Sequence, residues 1–298
     1  VLITGGTGLI GGHLTKLLQQ EGYEVMHVSR EKSSGAIRTF QWDVEKRQIE
    51  EEAITGTDHI IHLAGANVAA HRWTPQYKEE IIDSRVQSTF LLRNALYDIP
   101  NRVTSFICAS AVGFYGDRGE EWLGEEAEHA TDFLGITCAQ WEVAVRYVET
   151  LKKRVVMLRT GIVLAREEGA LPELLKPIQY GIAPIFGSGR QFYPWIHIDD
   201  VCRMYLHAIR NTALTGPVNG VTPIPERYSD FISAVAKSVG KKKINIPVPM
   251  PILKMIKGEF VETLAYSYRC SSKKVESSGF TFKFPELNTA LKDLAGPV

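Results

Sequence analysis

The chain has 298 residues, of which 44% are hydrophobic, so it can bury a substantial core as one large domain or two modest ones. Lysine plus arginine and aspartate plus glutamate number 34 each, which argues against nucleic acid or an anionic membrane surface as a partner. Because the four cysteines form no C-x-x-C pair and no apolar run reaches the roughly 20 residues of a membrane span, we expect a cytoplasmic protein without a disulfide framework, zinc knuckle or transmembrane helix.

Short apolar or β-branched runs alternate with longer helical patterns through the first half of the chain. The predicted strands are Val1–Thr4, Glu24–Val28, Thr39–Trp42, His59–Leu63, Ser105–Ala109 and Val155–Leu158. The predicted helices between them are Leu9–Gln20, Pro75–Leu96 and Asp132–Glu149. This alternation predicts a Rossmann-type α/β fold, a doubly wound parallel sheet with helices on both faces.

The strict alternation ends after about Gly161. Prolines and glycines gather in residues 183–195, and two further helices are predicted at Asp199–Arg210 and Tyr228–Val239. The sequence P-V-P-M-P at 247–251 predicts a rigid, extended segment.

This change of pattern predicts two lobes. We expect residues 1–165, with about 195–222, to form the Rossmann domain, and residues 166–194 and 223–298 to form a smaller C-terminal α+β substrate lobe. A small-molecule substrate is expected in the crevice between them.

A glycine-rich stretch, G-G-T-G-L-I-G, links the first predicted strand to the first predicted helix. Glycines here allow a sharp turn, a close approach of the backbone to a pyrophosphate and tight packing of the helix on the strand, while the helix N-terminus offers free N–H groups. The alternative is a glycine turn that binds nothing. The residues expected to line a dinucleotide at this turn are Thr4, Gly5, Gly8, Leu9, Ile10 and Gly11.

Residues after the next two strands bear on the choice between NADP(H) and NAD(H). The second strand runs into Ser29 and Arg30, and a hydroxyl with a guanidinium suits a 2′-phosphate better than a ribose diol. NADP(H) is therefore favoured, with Glu31 binding the diol as the alternative. Asp43, at the end of the third strand, could accept a hydrogen bond from the adenine amino group or initiate a turn.

Small residues close the fourth predicted strand. Leu63, Ala64 and Gly65 would let a cofactor ribose lie against the backbone, and His62 is interpreted as a packed strand-end histidine. No two of the eight histidines stand at metal-ligand spacing, so no metal site is predicted.

The motifs together resemble a known family. T-G-G-T-G-L-I-G, H-L-A-G, S-A-V-G-F-Y-G (110–116) and W-I-H-I-D-D-V (195–201) resemble landmarks of extended short-chain dehydrogenases/reductases, including the NAD-dependent epimerases and dehydratases. With C-A-Q-W-E (138–142) and F-P-E-L-x-x-A-L-K (284–292), the chain is similar to the YfcH-type epimerase-like subgroup. The resemblance covers nearly the whole chain and identifies the fold far better than the substrate.

The resemblance implies a catalytic set that this chain lacks in part. Active members use a serine and a Tyr-x-x-x-Lys pair to hold the substrate oxygen and move its proton. Ser110 matches the serine if one residue is inserted before Tyr115. Counting back from Glu142, which resembles a family glutamate, places Cys138 at the lysine position and Leu134 at the tyrosine position.

Three side chains could replace the missing proton donor. Tyr115 follows Ser110, Tyr193 lies on a segment expected to face the crevice, and Cys138 could be an activated thiol. Each has a structural alternative, since tyrosines near clefts are usually packed and a cysteine in an apolar helix is usually inert.

An arginine of the second predicted helix and two residues at the start of a later helix are also candidates for specific roles. Arg85 occupies what resembles the family's helix asparagine position and could meet an anionic substrate or a cofactor phosphate, or be a solvated helix arginine. His197 and Asp199 are expected to fix the turn into the following helix, with Asp199 as its N-cap.

These observations leave two functions open. One is an NADP(H)-dependent epimerase-like or reductase-like oxidoreductase acting on a hydroxyl or carbonyl small molecule, such as a nucleotide sugar. The other is a catalytically silent NADP(H)-binding sensor or regulatory protein, favoured by the missing tyrosine and lysine. In several relatives the helices matching Pro75–Leu96 and Asp132–Glu149 form a homodimer interface, so the resemblance also allows a homodimer.

Overall fold

A mixed eight-stranded sheet forms the centre of the computed structural model, which describes residues 1–31, 35–240 and 243–295. The strands are β1 (Leu2–Thr4), β2 (Met26–Ser29), β3 (Thr39–Asp43), β4 (Gln48–Ile49), β5 (His59–His62), β6 (Ser105–Ala111), β7 (Trp122–Leu123), β8 (Arg154–Thr160), β9 (Ile162–Leu164), β10 (Ile182–Phe186), β11 (Phe192–Tyr193), β12 (Trp195–His197), β13 (Gly216–Gly220), β14 (Glu226–Arg227), β15 (Ile244–Val248) and β16 (Arg269–Cys270). The sheet order is β13-β8-β6-β5-β1-β2-β3-β4, with only the edge strand β4 antiparallel to its neighbour. The predicted Rossmann-type fold is therefore confirmed.

Helices cover both faces of this sheet. They are α1 (Leu9–Gln20), α2 (Glu52–Thr55), α3 (Pro75–Asp98), α4 (Phe133–Arg146), α5 (Ala170–Ile178), α6 (Ile198–Arg210), α7 (Tyr228–Ser238), α8 (Met250–Lys257), α9 (Lys273–Ser277) and α10 (Leu287–Ala295), with 3₁₀ turns at Val112–Phe114, Glu149–Leu151 and Glu259–Ala265. Alternate residues of β1 explain the layering, because Leu2 packs in the core beneath α3 and α4, whereas Ile3 packs in the core beneath α1 and α6.

Capping residues define where the site-bearing helices begin. Thr74 caps α3, its hydroxyl accepting the Tyr77 N–H, and Pro75 follows at the first helical position. Asp132 caps α4 by accepting the Gly135 N–H. His197 fixes the turn into α6 as expected, because it is the N-cap and its Nδ1 accepts the Asp199 N–H at 3.0 Å; the prediction of Asp199 as the N-cap is wrong, since Asp199 lies within the helix.

Two segments of the second half differ from expectation. The segment 247–251 is extended only at its beginning, since β15 ends at Val248 and α8 starts at Met250, with a proline that its first turn tolerates. Strand β13 was not predicted from the sequence. It comes late in the chain and pairs with β8 at the edge of the main sheet. Residues of this returning strand therefore reach the end of the sheet where the site residues lie.

Candidate functional site

Close backbone contacts shape the turn between β1 and α1. Gly5 has a φ of +68°, in the left-handed region that favours glycine. A Cβ on Gly11 would lie 2.3 Å from the Gly5 carbonyl oxygen, so α1 packs directly on the turn. Gly8 is the N-cap of α1, and no side chain in the described part of the protein caps this helix. The N–H groups of its first turn, including those of Leu9 and Ile10, therefore remain available to an anion.

A buried histidine beneath the turn explains its second glycine, a contact that the motif does not reveal. A Cβ on Gly6 would lie 2.5 Å from the His27 imidazole. His27 Nε2–H donates to Thr15 Oγ1 at 2.8 Å, and the Thr15 hydroxyl donates to the Gly11 carbonyl at 2.7 Å. Burial lowers the pKa of His27, so a neutral imidazole supports the turn from below.

A second buried histidine joins the ends of β1 and β5. The Thr4 hydroxyl oxygen accepts the N–H groups of Leu63 and Ala64, each at 3.1 Å, and donates to His62 Nδ1 at 2.7 Å. His62 Nε2–H contacts Ser88 Oγ of α3 at 3.1 Å. Burial lowers the pKa of His62 to about 3, so the ring is neutral, and it packs at the end of its strand as the sequence indicates.

The ends of β2 and β3 lie beyond the glycine turn. Ser29 follows Val28, which pairs with Thr4, so Ser29 and Arg30 emerge at the same edge of the sheet as the turn. The Arg30 side chain is exposed, while its carbonyl accepts a hydrogen bond from Gln41 Nε2 at 3.0 Å. Glu31, the alternative ligand of the ribose diol, is also exposed. Arg30, which favours NADP(H), and Glu31, which would favour NAD(H), are therefore both accessible to a cofactor from solvent.

Asp43 initiates a turn in this structure. Its Oδ1 accepts the Lys46 N–H at 2.9 Å, and its Oδ2 lies 3.0 Å from Lys46 Nζ. Of the two interpretations of Asp43, the structure therefore shows the turn-initiating aspartate. One of its carboxylate oxygens accepts a backbone N–H in the connection between β3 and β4.

Gly65 makes room for an arginine of α3. A Cβ on Gly65 would lie 3.1 Å from Arg85 Cζ. Arg85 Nη1 donates to the Ile81 carbonyl at 2.8 Å, and its Cζ lies 5.1 Å from the centre of the Trp141 ring. Burial lowers the pKa of Arg85, so the interpretation as a solvated helix arginine is wrong.

Ser110, at the end of β6, belongs to a buried ion-pair network. Its hydroxyl donates to Glu142 Oε1 at 2.8 Å. Arg159 of β8 binds the same carboxylate with two parallel hydrogen bonds, Nε to Oε1 at 2.8 Å and Nη2 to Oε2 at 2.7 Å. Burial disfavours the charged form of Arg159, but the hydrogen bonds and charge of Glu142 outweigh it and raise the pKa of the guanidinium.

Tyr115 closes the other side of the same network. Its hydroxyl donates to Asn219 Oδ1 at 2.7 Å and accepts from Arg159 Nη1 at 3.0 Å. The Arg159 Cζ also lies 3.5 Å from the centre of the Phe114 ring. Tyr115 is fully buried, and burial raises the pKa of its phenol. The hydroxyl of Tyr115 therefore forms its hydrogen bonds with Asn219 and Arg159 inside the protein and does not face a crevice.

The other two candidate donors are buried too. Tyr193 was expected to face the crevice, and this is wrong. Its side chain is 7% exposed and packs against Tyr228 and Phe231. The Cys138 thiol lies on α4, and burial raises its pKa to about 12, so it keeps its proton at neutral pH. Leu134, which the motif spacing places at the family's tyrosine position, packs on Gly113, where a Cβ would lie 3.3 Å from Leu134 Cβ.

The sequence analysis missed Arg159 and Asn219. The predicted strand Val155–Leu158 stops just before Arg159, although β8 continues to Thr160. The sequence does contain a signal for Arg159, since an arginine that continues a run of four apolar strand residues would be drawn into the core. Arginine is rarely buried unless it is paired, so this position indicates a buried ion pair. Asn219 gives no comparable signal, since it stands between Val218 and Gly220 in a segment without a strand pattern.

Three other features of the structure concern metal ligands, membrane spans and cavities. Within residues 1–31, 35–240 and 243–295, no cluster of three or more His, Cys, Asp or Glu side chains could hold a metal ion. No helix among these residues is long and apolar enough to cross a bilayer. A cavity of about 460 Å³ lies on the outer faces of α3 and α4, and it includes none of the predicted site residues.

The sheet order and the glycine turn define a protein with the short-chain dehydrogenase/reductase fold. The chain belongs to the NAD dependent epimerase/dehydratase family, whose model matches residues 1–219. A domain of unknown function, DUF1731, matches residues 248–294. The family expected from the sequence motifs is therefore confirmed.

The relatives extend over the whole chain. Epimerase family protein SDR39U1 of Mus musculus is 32% identical over 99% of both chains, and epimerase family protein YfhF of Bacillus subtilis is 33% identical over 99% of this chain and 97% of its own. A crystal structure of human SDR39U1 (isoform 2) with NADPH superposes with a TM-score of 0.88 at 29% identity, covering 99% of this chain and 98% of that one.

Proposed function

We propose that this protein binds NADP(H) at the β1–α1 corner and uses it in epimerase-like or reductase-like oxidoreductase chemistry on a hydroxyl or carbonyl small molecule, such as a nucleotide sugar. The observation that carries the proposal is the uncapped N-terminus of α1 behind the glycine turn. The NADPH in the related human structure supports the same cofactor here.

The glycine turn fits a pyrophosphate. A Cβ on Gly8 would meet only the Gly5 carbonyl oxygen, at 3.4 Å, so the space beyond Gly8 is open. The N–H groups of Leu9, Ile10 and Gly11 would bind the phosphates, Ser29 and Arg30 the 2′-phosphate, and Leu63 to Gly65 would lie beside the nicotinamide half. When bound, the cofactor supplies or accepts a hydride at the nicotinamide.

The preference for NADP(H) depends on Arg30 in this proposal. Replacing Arg30 with alanine should narrow the difference between NADPH and NADH affinities by about 1–3 kcal/mol, because a charge-assisted hydrogen bond to the 2′-phosphate is lost. Calorimetric titration measures both affinities. Arg38→Ala is a matched control, since Arg38 is exposed and lies 4.6 Å over the Phe40 ring. Equal affinities of the unmodified protein for NADPH and NADH would contradict the assignment.

Ser110 and Cys138 are the groups we assign to the reacting oxygen and its proton. The Ser110 proton is held by Glu142, so Ser110 would accept a hydrogen bond from a substrate hydroxyl and would have to turn away from Glu142 to donate one to a carbonyl oxygen. The Cys138 thiol keeps its own proton and lies on the helix that packs against β6. For Tyr115 or Tyr193 to serve instead, the phenol would have to leave its present packing.

The buried network also favours the second candidate, an NADP(H)-binding sensor without turnover. Ser110 and Tyr115 both donate their hydroxyl protons to other side chains of the protein. Leu134 and Cys138 stand where active relatives carry tyrosine and lysine. No phenol in the described network is therefore free to move a proton.

A single-turnover assay separates these two functions. The protein is mixed with NADPH deuterated at C4 of the nicotinamide and with a panel of carbonyl compounds, and products are analysed by mass spectrometry. Deuterium in any product is expected for the enzyme, and Cys138→Ala should slow its transfer if the thiol supplies the proton. Tight NADPH binding without labelled product across the panel would favour the sensor.

We also propose a homodimer through the outer faces of α3 and α4. Ile136, Val143 and Tyr147 are 39%, 55% and 50% exposed there, and they line the cavity of about 460 Å³. Exposed apolar side chains gathered on one face are typical of protein–protein contacts.

A further inference from the structure

The guanidinium of Arg85 lies at the carboxyl edge of the sheet, between β5 and α4. It contacts Gly65 on one side and stacks over Trp141 on the other. Its Nη1 donates to the Ile81 carbonyl, and its remaining N–H groups have no hydrogen-bond partner among the described residues.

Within the described part of the chain, no side chain neutralises the charge of Arg85. Among the described residues no carboxylate forms an ion pair with it, in contrast to Arg159, which binds Glu142. Its electrostatic neighbours are Cys138, Cys108 and Tyr77, all of which are uncharged at neutral pH because burial raises their pKa values. A largely buried guanidinium without a counter-charge is costly, so a bound ligand that brings negative charge would be favoured here.

The cofactor cannot supply that charge if it binds as proposed, an assignment on which this inference rests. The strand order β5-β1-β2 places Arg85 and Arg30 on opposite sides of the glycine turn. The pyrophosphate would lie at α1 and the 2′-phosphate near Arg30, whereas the nicotinamide half, on the side of β5 and β6, carries no anionic group. An oxidised nicotinamide ring would add positive charge.

We propose that Arg85 binds the carboxylate of an anionic substrate beside the nicotinamide half of the cofactor. One guanidinium brings a single positive charge, which one carboxylate neutralises, and a planar pair of donors that can bind both carboxylate oxygens. The substrate class is thereby narrowed to small hydroxy or oxo acids, or sugars that bear a carboxylate.

Matched probes of equal shape and different charge test this inference. Benzoate against benzamide, and acetate against acetamide, are titrated by calorimetry into the full-length protein with and without NADPH. We expect at least one carboxylate to bind about tenfold or more tightly than its amide. Arg85→Gln should reduce that ratio to within about twofold, and Arg85→Lys should restore part of it. Arg93→Gln, also on α3 and stacked on Tyr97, should leave the ratio unchanged.

The outcomes separate this inference from the cofactor proposal. NADPH affinity of each variant is measured first from nicotinamide fluorescence, so a protein that fails to bind NADPH overturns the cofactor site itself. Equal binding of carboxylate and amide, no binding of either member of both pairs, or an Arg85→Gln variant that keeps the preference overturns the role of Arg85. Tighter binding of inorganic phosphate than of either carboxylate overturns the assignment to a carboxylate.

Discussion

Replacing Arg159 with methionine is expected to lower the free energy of unfolding by about 3–5 kcal/mol, because it leaves a buried carboxylate without its counter-charge. Glu142 would keep only the hydrogen bond from Ser110, and Tyr115 would lose one of its two partners. Urea denaturation at neutral pH, followed by circular dichroism, measures the loss.

Two further variants identify the source of this effect. Arg227→Met removes one partner of the Arg227–Glu120 pair, which is 36% and 67% exposed, and should change stability by no more than about 1 kcal/mol. Combining Arg159→Met with Glu142→Leu should recover much of the loss, because both charges are then absent. A double variant as unstable as the sum of the single variants would show that the two residues do not act as a pair.

Replacing Gly8 with valine is expected to weaken NADPH binding by about 100-fold or more, because the branched side chain would fill the open space proposed for the pyrophosphate. The backbone of Gly8, at φ −77° and ψ 174°, is extended and accepts any residue. The variant should therefore keep the unfolding transition of the unmodified protein. Nicotinamide fluorescence measures binding, and thermal denaturation checks the fold.

Gly12 provides a matched control on the same helix. A Cβ there meets nothing within 4 Å, so Gly12→Val adds an equal volume away from the turn. This variant should bind NADPH like the unmodified protein. Retained binding in Gly8→Val would count against the placement of the phosphates at this corner, whereas loss in both variants would point to a disturbed helix instead.

Most of the nucleotide-binding half follows from local sequence patterns. The apolar runs and the glycine spacing predict β1, α1 and their connection because each depends on residues close together in the chain. Strand β13 was not predicted, since Gly216 and Pro217 are poor strand formers and only pairing with β8 makes this segment a strand.

The polar centre of the site shows why local patterns are insufficient there. Ser110, Glu142 and Tyr115 were each singled out, but their mutual arrangement depends on Arg159 and Asn219, and the Tyr115–Asn219 hydrogen bond joins residues 104 positions apart. Burial raises the pKa values of Tyr115, Tyr193 and Cys138, and this burial depends on packing between distant segments rather than on a motif. The stacking of Arg85 on Trp141 likewise joins two helices that no single segment specifies.

The position of Asn219 in the chain has a consequence for synthesis on the ribosome. Its Nδ2 donates to the carbonyls of Leu123 and Ser271, at 3.1 Å and 3.0 Å, while its Oδ1 accepts from Tyr115. A nascent chain that ends at Arg159 therefore holds the Tyr115 phenol, whose acceptor Asn219 has not yet been translated. Because a buried hydroxyl needs its acceptor, the packing around Tyr115 should be completed only after the later segment that carries Asn219 has docked.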